Sequence, residues 1–327
     1  MNAHGFTAQL DLALPFALLG KPILLRTNNA RILQTATAGY AHWLSPATPP
    51  APAESSARVD VIAMPPAVQP SHVAPPFKFV ERAHGSTFVA ACDDIVLSVH
   101  RSNSNAHGLG FVPIWFTQPA HQRFLQSLVL DRLCLQVATS QDREPLHAGA
   151  VVWRGHAVLL AGPSQAGKST LCYACVQAGF QLLAEDVVFI QRQPAPRVWG
   201  HATHIHLLPN APDFFDELRT VPPTLQPSGK TKIAVPVQQP ALFADRCTLC
   251  WLERAAEPAA AVCAQPISSD EALAALFAHI DDGFALYPQA RAAAQALLTH
   301  NAAYRLRIGQ NLSAVVDVLK AMCDRGA

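Results

Sequence analysis

The sequence predicts an α/β protein of two domains, and two features carry that expectation. From Ala148 onward, strand-like and helix-like stretches alternate. Ala148–Trp153 and His156–Ala161 read as a hairpin turned at Arg154-Gly155, a helix follows from Lys168, and Phe180–Ala184 and Val187–Gln191 read as further strands. The preceding part opens with a strand and a helix and continues as a meander of short strands, which fits a smaller α+β domain. The boundary is placed after Ala138, giving domains at 1–138 and 139–327. A chain of 327 residues that is 50% hydrophobic has the length for two domains and the apolar content for their cores.

In the first domain, Pro22–Arg26 reads as a strand, and Thr27 as the N-cap of an amphipathic helix reaching Leu44. The stretch from Ser45 to Phe77 holds nine prolines and reads as loop, interrupted by a strand at Arg58–Ala63. Phe77–Arg82, Ser86–Ala91 and Ile95–Arg101 form the meander, with the first turn at His84-Gly85. Arg101–Gly110 is polar, ends in glycines and reads as a mobile loop. A helix from Pro119 to Ala138 buries Phe124, Leu128, Leu133 and Leu135. In the second domain, Pro258–Ala327 is alanine-rich and reads as helical, with one strand at Tyr304–Ile308.

Composition excludes several functions. With 24 Lys+Arg against 23 Asp+Glu, the net charge of +1 leaves no basic footprint for nucleic acid. No apolar run approaches the roughly 18 residues that span a bilayer. Leu12–Gly20 follows Asp11, contains Pro15 and lacks the flanks of a signal peptide. The expectation is a soluble, cytoplasmic protein with neither nucleic-acid nor membrane partners. Eight cysteines include two C-x-x-C pairs, Cys172/Cys175 and Cys247/Cys250. The second pair lies in the strand-like run Cys247–Leu252, where an i, i+3 spacing sends side chains to opposite faces, so buried thiols are favoured over a zinc site.

One motif carries chemistry. The apolar run Ala157–Ala161 leads into Gly162-Pro163-Ser164-Gln165-Ala166-Gly167-Lys168-Ser169-Thr170, which satisfies G-x-x-x-x-G-K-S. Glycines at 162 and 167 allow the backbone to turn its N–H groups onto phosphate oxygens, and the following helix adds the positive end of its dipole. Lys168 is the residue expected to reach the β- and γ-phosphates, and Ser169 to ligate Mg²⁺. Gly179 is a natural stop for the helix.

The acids expected beside this loop are Glu185 and Asp186. A helix from Lys168 to Ala178 climbs about 16 Å from the phosphates at 1.5 Å per residue. The strand Phe180–Ala184 then returns about 17 Å at 3.3 Å per residue. One carboxylate is then available for Mg²⁺ and the other to accept a hydroxyl proton; which does which is left open.

Leu146-His147-Ala148-Gly149, the loop at 162–169 and Leu183-Ala184-Glu185-Asp186 together resemble HPr kinase/phosphorylase and its HPr-kinase-like relatives. The resemblance is densest from His147 to Gln191, and Leu207-Leu208-Pro209, Gly229-Lys230-Thr231-Lys232 and Tyr304-Arg305-Leu306 extend it more loosely. It implies a phosphate-loop domain of the HPr kinase/phosphoenolpyruvate carboxykinase type with a mixed sheet. It also implies ATP with Mg²⁺, His147 beside the phosphates, the first acid as base and Asp186 assisting the metal. Glu185 stands where the family has Asp, and the Glu-x-Arg-Gly type signature tied to dephosphorylation is absent. The implied activity is therefore that of an ATP-dependent kinase acting on a Ser/Thr hydroxyl of a protein or ribosomal peptide, docked by the N-terminal domain. A small-molecule kinase of the same fold and a nucleotide-gated binding module are the alternatives, and the choice between ATP and GTP is open. Family members are often oligomeric, which leaves a homo-oligomer open here. Lys230 or Lys232 is a candidate for reaching the transferred group. His201, His204 and His206 are read as surface or substrate-pocket histidines in preference to metal ligands, since Mg²⁺ prefers oxygen.

Overall fold

Residues 9–44, 57–65, 77–102, 105–140, 142–226, 229–257, 261–278, 287 and 289–325 are described by the computed structural model. The protein is mixed α/β and divides into two units, Met1–Gln141 with Leu225–Lys230, and Asp142–Thr224 with Thr231–Ala327.

The first unit is a seven-stranded sheet. Its strands are β1 (Leu12–Leu18), β2 (Lys21–Thr27), β3 (Ala57–Met64), β4 (Val80–His84), β5 (Thr87–Cys92), β6 (Ile95–Arg101) and β7 (Ala106–Pro113), in the order β1-β2-β3-β7-β6-β5-β4. β3 runs parallel to β2 and β7, and the remaining pairs are antiparallel. Helix α1 (Ala30–Gly39) makes the crossover from β2. It begins later than the sequence suggests: Asn29 is the N-cap, accepting from Arg31 and Ile32 N–H, while the Thr27 hydroxyl accepts from Asn29 N–H. It also ends earlier, passing into a short 3₁₀ turn at Ala41–Trp43. The proline-rich residues 45–56 and 66–76 lie outside the described residues.

Two expectations fail for identifiable reasons. The glycine-bearing stretch read as a loop is strand β7. Gly108 and Gly110 are there because a helix lies on the sheet: a Cβ at 110 would stand 2.9 Å from Leu133 Cδ1, and one at 108 would stand 3.3 Å from Val137 Cγ2. The helix read as continuous from Pro119 is composite. It runs as a 3₁₀ turn at Pro119–His121, α2 (Gln122–Phe124), a π-helical stretch at Leu125–Leu130 and α3 (Asp131–Thr139). The wider π turn delays the buried stripe by a residue. Phe124 and Leu128 are followed by Leu133, Cys134 and Val137 in the core, and Leu135 is left half-exposed.

The second unit layers helices around a six-stranded sheet. Its strands are β8 (Glu144–His147), β9 (Gly149–Trp153), β10 (His156–Ala161), β11 (Gln181–Ala184), β12 (Val187–Gln191), β13 (Arg197–Gly200) and β14 (His204–Leu207); β15 (Thr224–Leu225) falls at the boundary between units. They continue with β16 (Thr231–Pro236), β17 (Phe243–Ala244), β18 (Arg246–Arg254), β19 (Cys263–Ile267) and β20 (Ala303–Ile308). The main sheet has the order β11-β9-β10-β18-β20-β19, and a smaller one the order β17-β13-β12-β8. β10, β18 and β20 are mutually parallel; β9 is antiparallel to both β10 and β11, so β11 points the same way as β10.

Helices α4 (Lys168–Gln177) and α7 (Leu312–Arg325) pack on one side of the main sheet with Cys250, Leu252 and Leu306. Helices α5 (Ser269–Phe277) and α6 (Ala290–Thr299) pack on the other with Cys247, Leu249 and Ala303. Cys247 and Cys250 thus face opposite layers, and all eight cysteines are free thiols. Strand β19 interrupts the region read as helical. It forms the sheet edge, the position where Pro266 is tolerated. Among the described residues no helix is long and apolar enough to cross a membrane.

Among the described residues of the first unit, Asp60 is the buried charged side chain. Asp60 on β3 is 4% exposed and accepts from Arg26 Nε at 2.8 Å and Nη2 at 3.0 Å; Arg58 lies 3.2 Å and His107 3.0 Å away. Burial alone would raise its pKa, but the His107 and Arg26 hydrogen bonds and the two guanidinium charges overcome it and hold the carboxyl well below the usual range. A carboxylate with a depressed folded pKa stabilises most above its unfolded value of about 3.9 and loses that contribution as pH falls below it. Asp60→Asn should therefore lower stability at neutral pH by about 2 kcal/mol, discounted for the partial exposure of the cations. In denaturant titrations the difference from wild type should shrink as pH is lowered from 5 towards 2. An undiminished difference across that range would contradict the electrostatic account.

Candidate active site

The loop between β10 and α4 is built by local necessity. Gly162 has φ 149°, and a Cβ there would meet the Leu252 carbonyl of neighbouring β18 at 3.0 Å, so only glycine leaves the strand this way. The chain turns with Ala166 N–H donating to the Pro163 carbonyl, crosses Gln165 at φ 67°, and enters α4 through Gly167 at φ 103°. Gly167 supplies the N-cap position, and no side chain caps the helix. The leading N–H groups of α4, those of Lys168, Ser169 and Thr170, are the ones a helix cannot satisfy internally. Pro163, Ser164 and Gln165 are exposed, Ala166 is buried, and Gly167, Ser169 and Thr170 are half-buried. From β18, Arg254 Nε donates to the Gln165 carbonyl at 3.1 Å and steadies the crest of the loop.

Lys168 is folded back over the loop. Its Nζ donates to the carbonyls of Gly162 at 2.8 Å and Pro163 at 3.2 Å. Burial lowers its pKa, and the negative charge of Asp186 opposes that shift. The lysine and the second acid therefore share one electrostatic neighbourhood.

The acids arrive there through two crossings between sheets. The chain leaves the small sheet at His147 and enters the main one at Gly149; it leaves the main sheet at Ala184 and re-enters the small one at Val187. Val187 is paired with His147, and Ala184 with Ala150, so the two crossings lie side by side. A bulge between Leu182 and Ala184 inserts one residue into β11 just before the acids and re-aims them. Gly149 makes the approach possible: a Cβ there would stand 2.9 Å from the Glu185 carbonyl oxygen and 3.0 Å from Cys172 Sγ.

The adjacent carboxylates have different surroundings. Asp186 is 65% exposed in its side chain and lies 3.6 Å from His147 Nε2. Glu185 is 19% exposed, and both its oxygens are engaged by one residue: Oε1 accepts from the backbone N–H of His206 at 2.8 Å, and Oε2 from His206 Nδ1 at 2.6 Å. His206 and His204 share a face of β14, with ring centroids 5.9 Å apart. Sequence reading passed over the role of His206. Its only sequence-level signal is that it shares a strand face with His204, and nothing in the sequence ties β14 to Glu185.

Of the residues singled out from sequence, Lys168 contacts Gly162, and His147 contacts Asp186, the neighbour of Glu185 in the chain; the charge of Asp186 acts on Lys168. Lys230 is exposed and belongs to Leu225–Lys230, which packs with the first unit, whereas the loop belongs to the second. Lys232 is half-buried on β16. Pro227 and Ser228 lie outside the described residues.

Among the described residues no group of three or more His, Cys, Asp or Glu side chains could hold a metal by itself. Mg²⁺, however, is ordinarily held by one or two carboxylates together with phosphate oxygens and water. Asp186, with an exposed carboxylate, and Ser169, with a half-buried hydroxyl, carry oxygen donors of the kind such a cation takes.

Comparison with known proteins adds little to this geometry. No family model matches the chain, and no curated protein matches it. Among solved structures, the Hpr(Ser) kinase/phosphatase from Coxiella burnetii aligns over 56% of this chain and 96% of its own, with 11% identity and a TM-score of 0.30. A likeness of that size carries no argument about fold or function.

The close approach at Gly149 gives a direct test. Gly149→Ala should cost about 1–3 kcal/mol, because neither the Glu185 carbonyl nor the buried Cys172 can retreat freely. Thermal denaturation should show a clear drop in Tm. An unchanged Tm would mean the crossings are looser than this geometry requires.

Proposed function

We propose that the second unit binds Mg-ATP at Gly162–Thr170 and transfers the γ-phosphoryl group to the hydroxyl of a Ser or Thr in a protein or peptide. The observation that carries this reading is the glycine loop that leaves a parallel strand, folds Lys168 Nζ back onto its own carbonyls and opens into a helix start with no side-chain cap. The motif resemblance of His147, the loop and the acid pair to HPr-kinase-like proteins supports the same reading, including a phosphate-loop domain of that type.

In this reading the backbone N–H groups of Lys168, Ser169 and Thr170 bind phosphate oxygens, and the Lys168 ammonium neutralises their charge. Lys168 exchanges its two loop carbonyls for those oxygens when it does so. Ser169 and Asp186 hold the cation, which when bound supplies charge neutralisation on the transferred group. Glu185 accepts the proton of the attacking hydroxyl, and His147, 3.6 Å from Asp186, adds a donor on the phosphate side.

Lys168→Ala should abolish measurable Mg-ATP affinity, and Asp186→Asn should weaken Mg-ATP binding more than binding of metal-free ATP; titration calorimetry distinguishes the two. Retention of wild-type affinity by Lys168→Ala would remove the nucleotide site from this loop.

Peptides encoded beside the gene, incubated with the protein and Mg-ATP, should gain the mass of one phosphate. Loss of that gain in Glu185→Gln with nucleotide affinity intact is the outcome expected of a transfer enzyme. If wild type binds Mg-ATP but phosphorylates no peptide or small hydroxyl compound, the unit is a nucleotide-gated binding module instead.

A further inference from the structure

We propose that His206 is the positioning residue for Glu185, and that the glutamate here is matched in length to that histidine; this rests on the transfer reading above. Two donors of a single residue reach the two oxygens of one carboxylate, the backbone N–H at 2.8 Å and Nδ1 at 2.6 Å. A carboxylate accepts only, so the geometry assigns the imidazole proton to Nδ1. The clamp stands on a rigid element. His206 is paired with Ala234 of β16, and its neighbours Ile205 and Leu207 are 1% exposed and sit in the same core as α4. A carboxylate gripped at both ends cannot swing, and its filled oxygens make it a poorer cation ligand than its neighbour. Asp186, 65% exposed, keeps its oxygens accessible. His206 thereby separates two consecutive acids into one fixed acceptor and one available ligand.

The side-chain length follows from the same contacts. An aspartate at 185 would end one methylene short, about 1.5 Å, and could not keep both contacts without moving the chain. The Glu185 carbonyl already lies so close to Gly149 that a Cβ there would stand 2.9 Å from it, so movement of the chain towards that strand is resisted. Glutamate at 185 and histidine at 206 form a unit in which neither serves without the other.

The test measures Mg-ATP consumption, with water as acceptor and with any peptide that gains phosphate. His206→Ala should lower kcat about 10–100-fold, the range seen when an outer-shell partner is lost, with the KM for Mg-ATP unchanged. His206→Asn, whose amide N–H stands near the place of Nδ1, should recover most of that loss. Glu185→Asp should show a comparable drop, and adding His206→Ala to it should cost little more, since the interaction is already broken. Nitrogen-15 histidine NMR of the wild type should show Nδ1 carrying the proton, a signature lost in Glu185→Ala. The proposal is overturned if His206→Ala lowers only the Tm while turnover stays at the wild-type level, if His206→Asn is no better than His206→Ala, or if the two substitutions are additive. Absence of all turnover in a wild type that binds Mg-ATP overturns the transfer reading itself, and this proposal with it.

Discussion

The second unit depends on two crossings of the chain between sheets being held at one level. Pairing of Val187 with His147 and of Ala184 with Ala150 fixes them side by side. Because β11 runs in the direction of β10, the crossings lie at the end of the sheet from which the glycine loop also emerges. Two local contacts follow from this arrangement: His147 beside Asp186, and Glu185 turned towards β14. A sheet of purely parallel strands would have put another crossover helix where the β9–β10 hairpin stands, and the short link between His147 and Gly149 would not exist.

Much of this was legible in the sequence where a local rule decides the backbone. The hairpin at Arg154-Gly155 has both residues at positive φ, 50° and 80°, as a two-residue turn demands. The helix starting at Lys168 stops at Gly179, φ 93°, for an equally local reason. The return of β11 to the end of the sheet that carries the glycine loop also followed from rise per residue alone. What escaped was set by partners distant in sequence. Gly108 and Gly110 read as loop residues because the helix that needs their missing side chains lies more than twenty positions further on. The π turn at Leu125–Leu130 leaves no mark in composition, so the buried stripe was assigned to Leu135 where Cys134 and Val137 hold it. The bulge in β11 and the grip of His206 on Glu185 depend on register and on a strand some twenty residues away, and periodicity carries no information about either.

The site also shows how one short sequence can hold two carboxylates of unlike character. Glu185 and Asp186 are neighbours in the chain, yet one is enclosed and doubly hydrogen-bonded while the other projects into solvent beside a histidine. The difference comes from the transition out of β11. The first residue after it still faces the layer containing β14, and the second has already turned towards the small sheet. Sequence alone could name the pair without dividing it, because both residues satisfy the same chemical description.

Pro266 has an effect beyond tolerating its own place. It sits in the outermost strand of the main sheet, paired with Tyr304 on the inner side. Having no N–H, it leaves a gap in the row of donors that another polypeptide would need in order to dock alongside. A strand laid along the edge remote from β11 would therefore find one donor missing at position 266, a gap set by covalent structure rather than by charge.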